Sequence, residues 1–219
     1  MENIYPLLGD KFPQISVSTT QGMKTIPDDY IGKWLVFFSH PGDFTPVCTT
    51  EFIEFAMHID NFNNLNTALI GLSIDQNTSH IKWLEWIKIK TKIEIPFPLI
   101  EDPLGNISRK LGMISPAKGS NTVRSVFIID DKGIIRSIFI YPQEIGRNIN
   151  EIIRTIKSLQ LSDNYQVVIP ANWPYNSLIG DKVLLRPPTN IDDAKTRMEK
   201  VQMEGYTCYD WWFCFKSLS

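Results

Sequence analysis

Apolar residues in the first half of the chain alternate between short continuous runs and stretches with helical spacing. Residues 34–39 form a continuous run rich in aromatic side chains, which is typical of a strand buried on both faces. After residue 48, an amphipathic helix is predicted by apolar residues that recur every three or four positions, namely Phe52, Phe55, Ala56, Ile59 and Phe62. Residues 68–74 predict a second buried strand, and residues 79–90 a second helix that carries Ile81, Leu84, Trp86 and Ile87. The order β-α-β-α favours a central sheet with parallel strands and helices on its faces.

Further runs extend this α/β domain. Residues 97–100 predict a short edge strand, and residues 106–111 predict a short helix. Residues 125–129 and 134–140 predict the two strands of a hairpin, because a polar turn sequence with one glycine joins them.

The last third of the chain follows a different pattern. Helical spacing of isoleucine and leucine over residues 148–161 closes the first domain, so we predict domains over residues 1–163 and 164–219. Prolines interrupt the second region, where residues 194–201 are the helical candidate. Residues 206–215 hold six aromatic residues, and we predict an extended arm here. Because soluble monomers rarely expose such a patch, we expect the arm to pack on another surface, such as that of a neighbouring subunit.

Composition and charge narrow the classes of function. Apolar residues make up 43% of the 219 residues and charged residues 21%, which predicts a soluble globular protein with a packed core. The net charge of −2 and the lack of a long basic run argue against a nucleic-acid partner. We expect a cytoplasmic protein without a membrane partner, since the sequence shows neither a signal-peptide pattern nor a long apolar stretch. No nucleotide cofactor is expected, because neither G-x-G-x-x-G nor a Walker sequence occurs.

The cysteines indicate redox chemistry rather than a structural framework. Cys48, Cys208 and Cys214 are an odd set in a chain long enough to bury a core, and no pair has C-x-x-C spacing. The three histidines are scattered along the sequence, so we expect no metal site.

Cys48 follows the first strand and begins the first helix. A helix N-terminus carries roughly half a positive charge and lowers a cysteine pKa from about 8.5 toward ~3.5–7.5, which suits a reactive thiolate. Free cysteine is also among the most buried residue types. The local chemistry therefore supports a nucleophile and an inert buried thiol equally.

The residues around Cys48 resemble a known active-site loop. Pro41, Thr45 and Cys48 form P-x-x-x-T-x-x-C, followed by T-T-E and preceded by His40. This sequence resembles the loop of peroxiredoxins, in particular the one-cysteine, peroxiredoxin 6-like branch. The resemblance continues through most of the chain, at residues 9–13, 102–103, 124–130, 142–147, 172–174 and 180–183.

The resemblance implies a fold and an activity. The fold would be thioredoxin-like, a central mixed sheet flanked by helices, with a C-terminal extension that mediates dimer and decamer assembly. The activity would be thiol-dependent reduction of hydrogen peroxide and organic hydroperoxides. Cys48 would be the nucleophile and become a sulfenic acid as water or an alcohol leaves.

The same resemblance assigns roles to the neighbouring residues. Thr45 would direct its hydroxyl toward the thiolate and the peroxide, and it also suits a helix N-cap. Pro41 would shield the site from water, although it equally suits an ordinary turn. Arg124 would hold the thiolate and the peroxide oxygens through its planar fork. By position alone, Arg124 would be a solvated strand end.

Three residues would support this site. Glu51 and Arg147 match a pair that orients Arg124 or orders the loop, while the alternative is an exposed ion pair. His40 matches a histidine typical of the one-cysteine branch and would hydrogen-bond near the thiol, while the alternative is an exposed loop residue.

The C-terminal cysteines would reduce the sulfenic acid. By resemblance to archaeal-type members, we favour Cys214 as the resolving cysteine, with Cys208 as a secondary partner able to pair with it. A spacing of six residues would place the two on one face of an extended strand. A disulfide needs Cα atoms within roughly 4.4–6.8 Å, so Cys48 would have to leave its pocket by local unfolding of the first helical turn. An external thiol or thioredoxin-like donor would complete the cycle.

Two other functions compete with this reading. A thioredoxin-type disulfide oxidoreductase is disfavoured because no C-x-x-C lies beside Cys48. An oligomeric holdase chaperone would instead bind unfolded chains through apolar surface.

Overall fold

The computed structural model describes residues 5–114, 119, 121–201 and 205–218. The chain forms two compact units, residues 1–153 and 154–219, which divide within the helix Ile149–Tyr165. The boundary predicted from the sequence, after residue 163, lies in the same helix but nearer its C-terminal end. No helix in the described part of the chain is long and apolar enough to cross a membrane.

The first unit is built around a seven-stranded sheet. Its strands are β1 (Ile15–Thr19), β2 (Gly22–Ile26), β3 (Trp34–Ser39), β4 (Thr67–Ser73), β5 (Leu99–Glu101), β6 (Arg124–Ile129) and β7 (Ile135–Tyr141). The spatial order is β2-β1-β5-β4-β3-β6-β7. Strands β3, β4 and β5 are parallel neighbours, whereas β6, β7, β1 and β2 pair antiparallel. This confirms the thioredoxin-like α/β fold with a central mixed sheet.

Helices connect and follow these strands. They are α1 (Pro46–Met57), α2 (Ile59–Asn64), α3 (Asn77–Thr91), α4 (Asn106–Lys110) and α5 (Ile149–Tyr165), and a short 3₁₀ helix covers Asp28–Tyr30. The single helix predicted after Cys48 is therefore two helices, which meet at His58, a residue outside helical geometry with ψ 11°.

The buried face of α3 differs from the predicted one. His80, Trp83 and Ile87 are buried, at positions i, i+3 and i+7 of one helix face. Ile81 and Trp86 are exposed by 55% and 43%. Apolar residues lie on both sides of this helix, so the apolar pattern alone did not indicate which side faces the sheet.

Strand β5 lies inside the sheet, which corrects its prediction as an edge strand. It pairs with β4 on one side, and on the other Ile100 pairs with Thr19 of β1. The hairpin of β1 and β2 covers this side, and β2 forms the edge. These two short strands are largely polar, so the apolar runs did not predict them.

Aromatic packing places α1 on the sheet. Phe38 of β3 stacks on Phe55 of α1 with ring centroids 4.4 Å apart, and it meets the edge of Phe52 at 5.5 Å. All three rings are fully buried, and burying one such side chain contributes about 1.5–3 kcal/mol. A Cβ at Gly71 of β4 would meet the Phe38 and Phe52 rings at 3.3 Å, so glycine permits this close approach. The start of α1 is thereby fixed above the end of β3.

The second unit contains a smaller sheet rather than an extended arm. Its strands are β8 (Val167–Val168), β9 (Val183–Leu185), β10 (Thr207–Asp210) and β11 (Phe213–Lys216), in the spatial order β10-β11-β9-β8. Helix α6 (Ile191–Lys200) begins earlier than predicted, because the Asn190 side chain accepts a hydrogen bond from the backbone N–H of Asp193.

Candidate active site

Cys48 lies in the first turn of α1 and is fully buried. Pro46 opens the helix, a position where its missing N–H costs nothing. The loop between β3 and α1 carries His40, Pro41 and Thr45, and both His40 and Pro41 are buried. The loop therefore closes over the sulfur rather than displaying it to solvent.

Arg124 contacts the sulfur directly. Its Nη1 lies 3.3 Å from Cys48 Sγ and 2.7 Å from Glu51 Oε2. On the other side, Nε and Nη2 donate to the Gln143 carbonyl oxygen at 3.0 and 2.7 Å. The side chain is only 3% exposed, so the interpretation of Arg124 as a solvated strand end is wrong.

Glu51 and Arg147 form a buried pair behind this contact. Arg147 donates through Nε to Oε1 at 2.8 Å and through Nη2 to Oε2 at 2.7 Å, and its backbone N–H donates to Oε1 at 2.9 Å. Its Nη1 donates to the Ser39 carbonyl oxygen at 2.8 Å. Neither side chain reaches solvent, which excludes an exposed ion pair. Glu51 thus joins two guanidinium groups, one of which contacts the sulfur.

The hydroxyl of Thr45 faces the loop rather than the helix. It donates to the Gly42 carbonyl oxygen at 2.8 Å, and it makes no capping bond to α1 although Thr45 occupies the N-cap position. The expected side-chain cap is therefore absent. The turn is tied instead by Thr49, which donates to the Thr45 carbonyl oxygen at 2.8 Å and accepts from the Trp83 ring N–H at 3.2 Å.

His40 belongs to a buried cluster that the sequence did not predict. Its Nε2 lies 3.0 Å from Asp43 Oδ1, and Asp43 Oδ2 lies 2.8 Å from Nδ1 of His80. His80 Nε2 lies 3.2 Å from the Ile100 carbonyl oxygen. His40 and His80 meet because the parallel strands β3 and β4 end at the same sheet edge, and α3 begins there. The rule that neighbouring parallel strands end at one edge of the sheet could have predicted this cluster, whereas the spacing of the histidines along the sequence could not.

The environment of this cluster sets its charges. Burial lowers the pKa of His40 below its usual value, although Asp43 acts in the opposite direction. Burial alone would raise the pKa of Asp43, but hydrogen bonds with His40 and His80 outweigh it and hold that pKa well below the usual range. Asp43 is therefore ionised and His40 neutral at neutral pH.

The same three residues are also the donor types that hold metal ions. Their ligand atoms lie within 4.8 Å of one another. The nitrogen-to-oxygen separations of 2.8 and 3.0 Å are those of ordinary hydrogen bonds, which already engage both carboxylate oxygens. The arrangement is that of a hydrogen-bonded cluster.

A cleft of about 320 Å³ opens beside the loop. Its lining residues are Phe44, Thr45, Pro46, Thr49, Trp83 and Trp86. A larger cavity of about 750 Å³ lies in the second unit between the start of α6 and Trp211, and none of the predicted catalytic residues lines it. Of the predicted site residues, Thr45 lines the smaller cleft.

Cys208 and Cys214 form a disulfide across the β10–β11 hairpin. They are directly opposite each other in the register, with Cα atoms 4.0 Å apart. The prediction that both lie on one face of a single strand is wrong, because the chain turns back at Trp211 and Trp212. Cys48 is the free cysteine.

Known proteins match the chain along nearly its whole length. The AhpC/TSA family matches residues 8–138, and the C-terminal domain of 1-Cys peroxiredoxin matches residues 158–200. A peroxiredoxin of Thermotoga maritima is 58% identical over 100% of both chains. A peroxiredoxin of Methanocaldococcus jannaschii is 57% identical over 97% of this chain and 99% of its own.

Solved structures give the same result. A yeast mitochondrial 1-Cys peroxiredoxin, 37% identical, superposes with a TM-score of 0.83 over 96% of this chain and 98% of its own. Peroxiredoxin 6 of Arenicola marina, 35% identical, gives a TM-score of 0.77 over 87% of this chain and 88% of its own. The chain therefore belongs to the peroxiredoxin family, whose members are thiol peroxidases.

Proposed function

We propose that Cys48 is the nucleophile that reduces hydrogen peroxide and small organic hydroperoxides. Its thiolate attacks the terminal peroxide oxygen, the O–O bond breaks, and the sulfur becomes a sulfenic acid. The departing oxygen takes one proton and leaves as water or an alcohol. The observation that carries this proposal is the 3.3 Å contact between Sγ and the Arg124 guanidinium.

The charges around the sulfur support a thiolate. Arg124 and Arg147 bring two positive charges, whereas Glu51 supplies one negative charge. An anionic sulfur completes this balance in a buried site, where an uncompensated charge is costly. Arg124 also meets the negative charge that develops on the departing oxygen.

Glu51 and Arg147 act by orienting Arg124. Three hydrogen bonds from Arg147 hold the Glu51 carboxylate, which accepts the Arg124 Nη1–H at 2.7 Å. The Gln143 carbonyl oxygen fixes the far side of the same guanidinium. A lysine ammonium lacks the planar fork and cannot occupy both sides at once.

Thr45, Pro41 and His40 complete the peroxide site. Because Thr45 donates its hydroxyl hydrogen to Gly42, its oxygen lone pairs remain to accept a peroxide O–H. Buried Pro41 excludes water from the loop. His40 offers a buried imidazole on the same loop.

Resolution of the sulfenic acid requires a rearrangement. Cys48 is fully buried, so the first turn of α1 unfolds to release it. The Cys214 thiol then attacks the Cys48 sulfur, which expels water and forms a Cys48–Cys214 disulfide. Cys208 attacks Cys214 in turn, which frees Cys48 and leaves the Cys208–Cys214 disulfide. The pairing of Cys208 with Cys214 supports this order.

An external thiol or thioredoxin-like donor then reduces the Cys208–Cys214 disulfide. We also infer a homodimer that assembles into a decamer as a ring of dimers. Tyr209 and Trp212, exposed by 62% and 54%, support an apolar contact of the second unit with another subunit. A cytoplasmic location stays a prediction.

The test is peroxide consumption with a dithiol donor, comparing the wild type with C48S, C208S and C214S. We expect C48S to lose all turnover, whereas C208S and C214S slow reduction without preventing the first oxidation. Full turnover by C48S would overturn the proposal.

A further inference from the structure

His80 hydrogen-bonds directly to Asp43 of the reactive loop, within the buried cluster defined by His40, Asp43 and His80. It belongs to the first turn of α3, and its ring is fully buried. Asp43 is 9% exposed and His40 is fully buried. A buried polar cluster of this kind keeps one protonation pattern only if each hydrogen bond has one donor and one acceptor.

Both ring nitrogens of His80 face acceptors. Nδ1 lies 2.8 Å from the Asp43 carboxylate, and Nε2 lies 3.2 Å from the Ile100 carbonyl oxygen. A neutral imidazole would direct a lone pair at one of these oxygens, which is unfavourable in a buried site. Only the imidazolium form donates to both. Its positive charge also matches the ionised Asp43.

His40 has the opposite pattern. Nε2 lies 3.0 Å from Asp43 Oδ1 and donates its hydrogen there. Nδ1 is buried and has no hydrogen-bond partner among the described residues. The His40 ring is packed against Trp83, with centroids 5.3 Å apart, and against Phe52 at 4.8 Å. The ring cannot exchange its two nitrogens without displacing these neighbours.

We propose that His80 is a positioning residue for peroxide reduction, because it holds Asp43 as a carboxylate and thereby fixes His40 with its lone pair on Nδ1. That lone pair is the acceptor available to a peroxide O–H. The inference rests on the proposed peroxidase function. It adds a residue of α3 to those that orient the catalytic loop.

The other charged groups near the cluster leave this pattern intact. Asp75, which follows β4, accepts hydrogen bonds from the Asp43 backbone N–H at 3.0 Å and from the Ser73 hydroxyl at 2.7 Å. On α1, Cys48 and Glu51 are both engaged by Arg124. Among the described residues, His80 is therefore the one positively charged side chain in contact with Asp43.

Nuclear magnetic resonance of the histidine rings tests the tautomers directly. The chain has three histidines, so H58Q and H80Q suffice to assign the ¹⁵N ring signals of the full-length protein. At neutral pH we expect both nitrogens of His80 to carry hydrogen, and His40 to carry hydrogen on Nε2 only. A neutral His80, or a His40 protonated on Nδ1, would overturn the inference.

Kinetics then test whether the pattern matters for the reaction. We expect H80L to slow the single-turnover oxidation of Cys48 by about tenfold, the effect of one lost hydrogen bond on a rate. H80Q keeps a donor toward Asp43, so it should restore part of the rate and alter the pH profile. H58Q is the matched control and should oxidise at the wild-type rate.

These outcomes separate the two proposals. A wild-type protein whose Cys48 ignores peroxide would remove the peroxidase function, whatever the ring signals show. An active wild type together with an equally fast H80L would leave the peroxidase function intact and overturn the positioning role. If H80L does not fold, the wild-type ring signals and H80Q still decide.

Discussion

The two sulfur sites of this chain differ in how their surroundings hold them. Cys48 is a single thiol in a buried network, where each of Arg124, Glu51 and Arg147 makes at least three hydrogen bonds. The Cys208–Cys214 disulfide lies in a short hairpin, where three of the four residues of β10 are exposed although Cys214 itself is buried. The first site is organised by side-chain hydrogen bonds, and the second by a covalent bond.

This difference separates two tasks. Attack on a peroxide needs donors already in place around the developing charge, because reorganisation during the reaction would raise the barrier. Transfer of a disulfide needs access, because sulfur atoms must meet in line for exchange. Variants at each site should therefore affect different properties of the protein.

Removal of the Glu51 charge should have the largest effect. E51Q leaves Arg124 and Arg147 buried without their shared carboxylate, and breaking a buried ion pair costs about 3–5 kcal/mol. We expect the free energy of unfolding of the reduced protein in urea to fall by this amount. The control is E54Q on the exposed side of α1, which should change stability by less than about 0.5 kcal/mol. Equal stabilities of both variants would show that the network does not organise the first site.

Replacement of Arg124 by lysine should slow the reaction most directly. R124K loses the simultaneous contacts to Sγ, Glu51 and the Gln143 carbonyl oxygen. Loss of one such donor costs about 10²–10³ in rate. Stopped-flow measurement of Cys48 oxidation checks this, with R136K on the adjacent strand β7 as the control. Wild-type rates for R124K would contradict a role for the guanidinium fork.

Reduction of the Cys208–Cys214 disulfide should destabilise its hairpin moderately. In the loop-closure picture, a closed loop of this length is worth about 2 kcal/mol. We expect backbone amides of β10 and β11 to exchange hydrogen faster after reduction, whereas amides of β3 keep their rates. Faster exchange throughout β3 would mean that the two sites are not organised separately.

The C214S variant should slow steady-state turnover more than it slows the oxidation of Cys48. Steady-state peroxide reduction with a dithiol donor should fall by about tenfold, because resolution then depends on the less direct Cys208 or on the donor. Oxidation of Cys48 in a single turnover should keep its wild-type rate. A slower single turnover would place Cys214 in the first chemical step.

The sequence predicted the first site better than the second. The aromatic run of β3 and the spacing of Phe52 and Phe55 indicated the strand and helix that frame Cys48, and the family resemblance brought Arg124, Glu51 and Arg147 to it. These side chains converge through contacts between residues that are separated by 73 and by 96 positions in the sequence, and no local pattern predicts such contacts.

Other features depended on tertiary pairing in the same way. Strand β5 is interior only because the weakly patterned hairpin β1–β2 adds beside it. His40 and His80 meet only because β3 and β4 end at one edge of the sheet. Cys208 and Cys214 face each other because a turn reverses the chain between them, which their spacing does not reveal.

The fate of Cys48 after one equivalent of hydrogen peroxide decides whether it is the nucleophile. The reduced C208S/C214S protein, in which Cys48 is the sole cysteine, should gain one oxygen atom within the mixing time, and a sulfenic acid reagent should trap it at Cys48. The same treatment of the C48S/C208S/C214S protein should add nothing. If Cys48 instead remains an unmodified thiol at neutral pH, it is not the peroxide-reducing nucleophile.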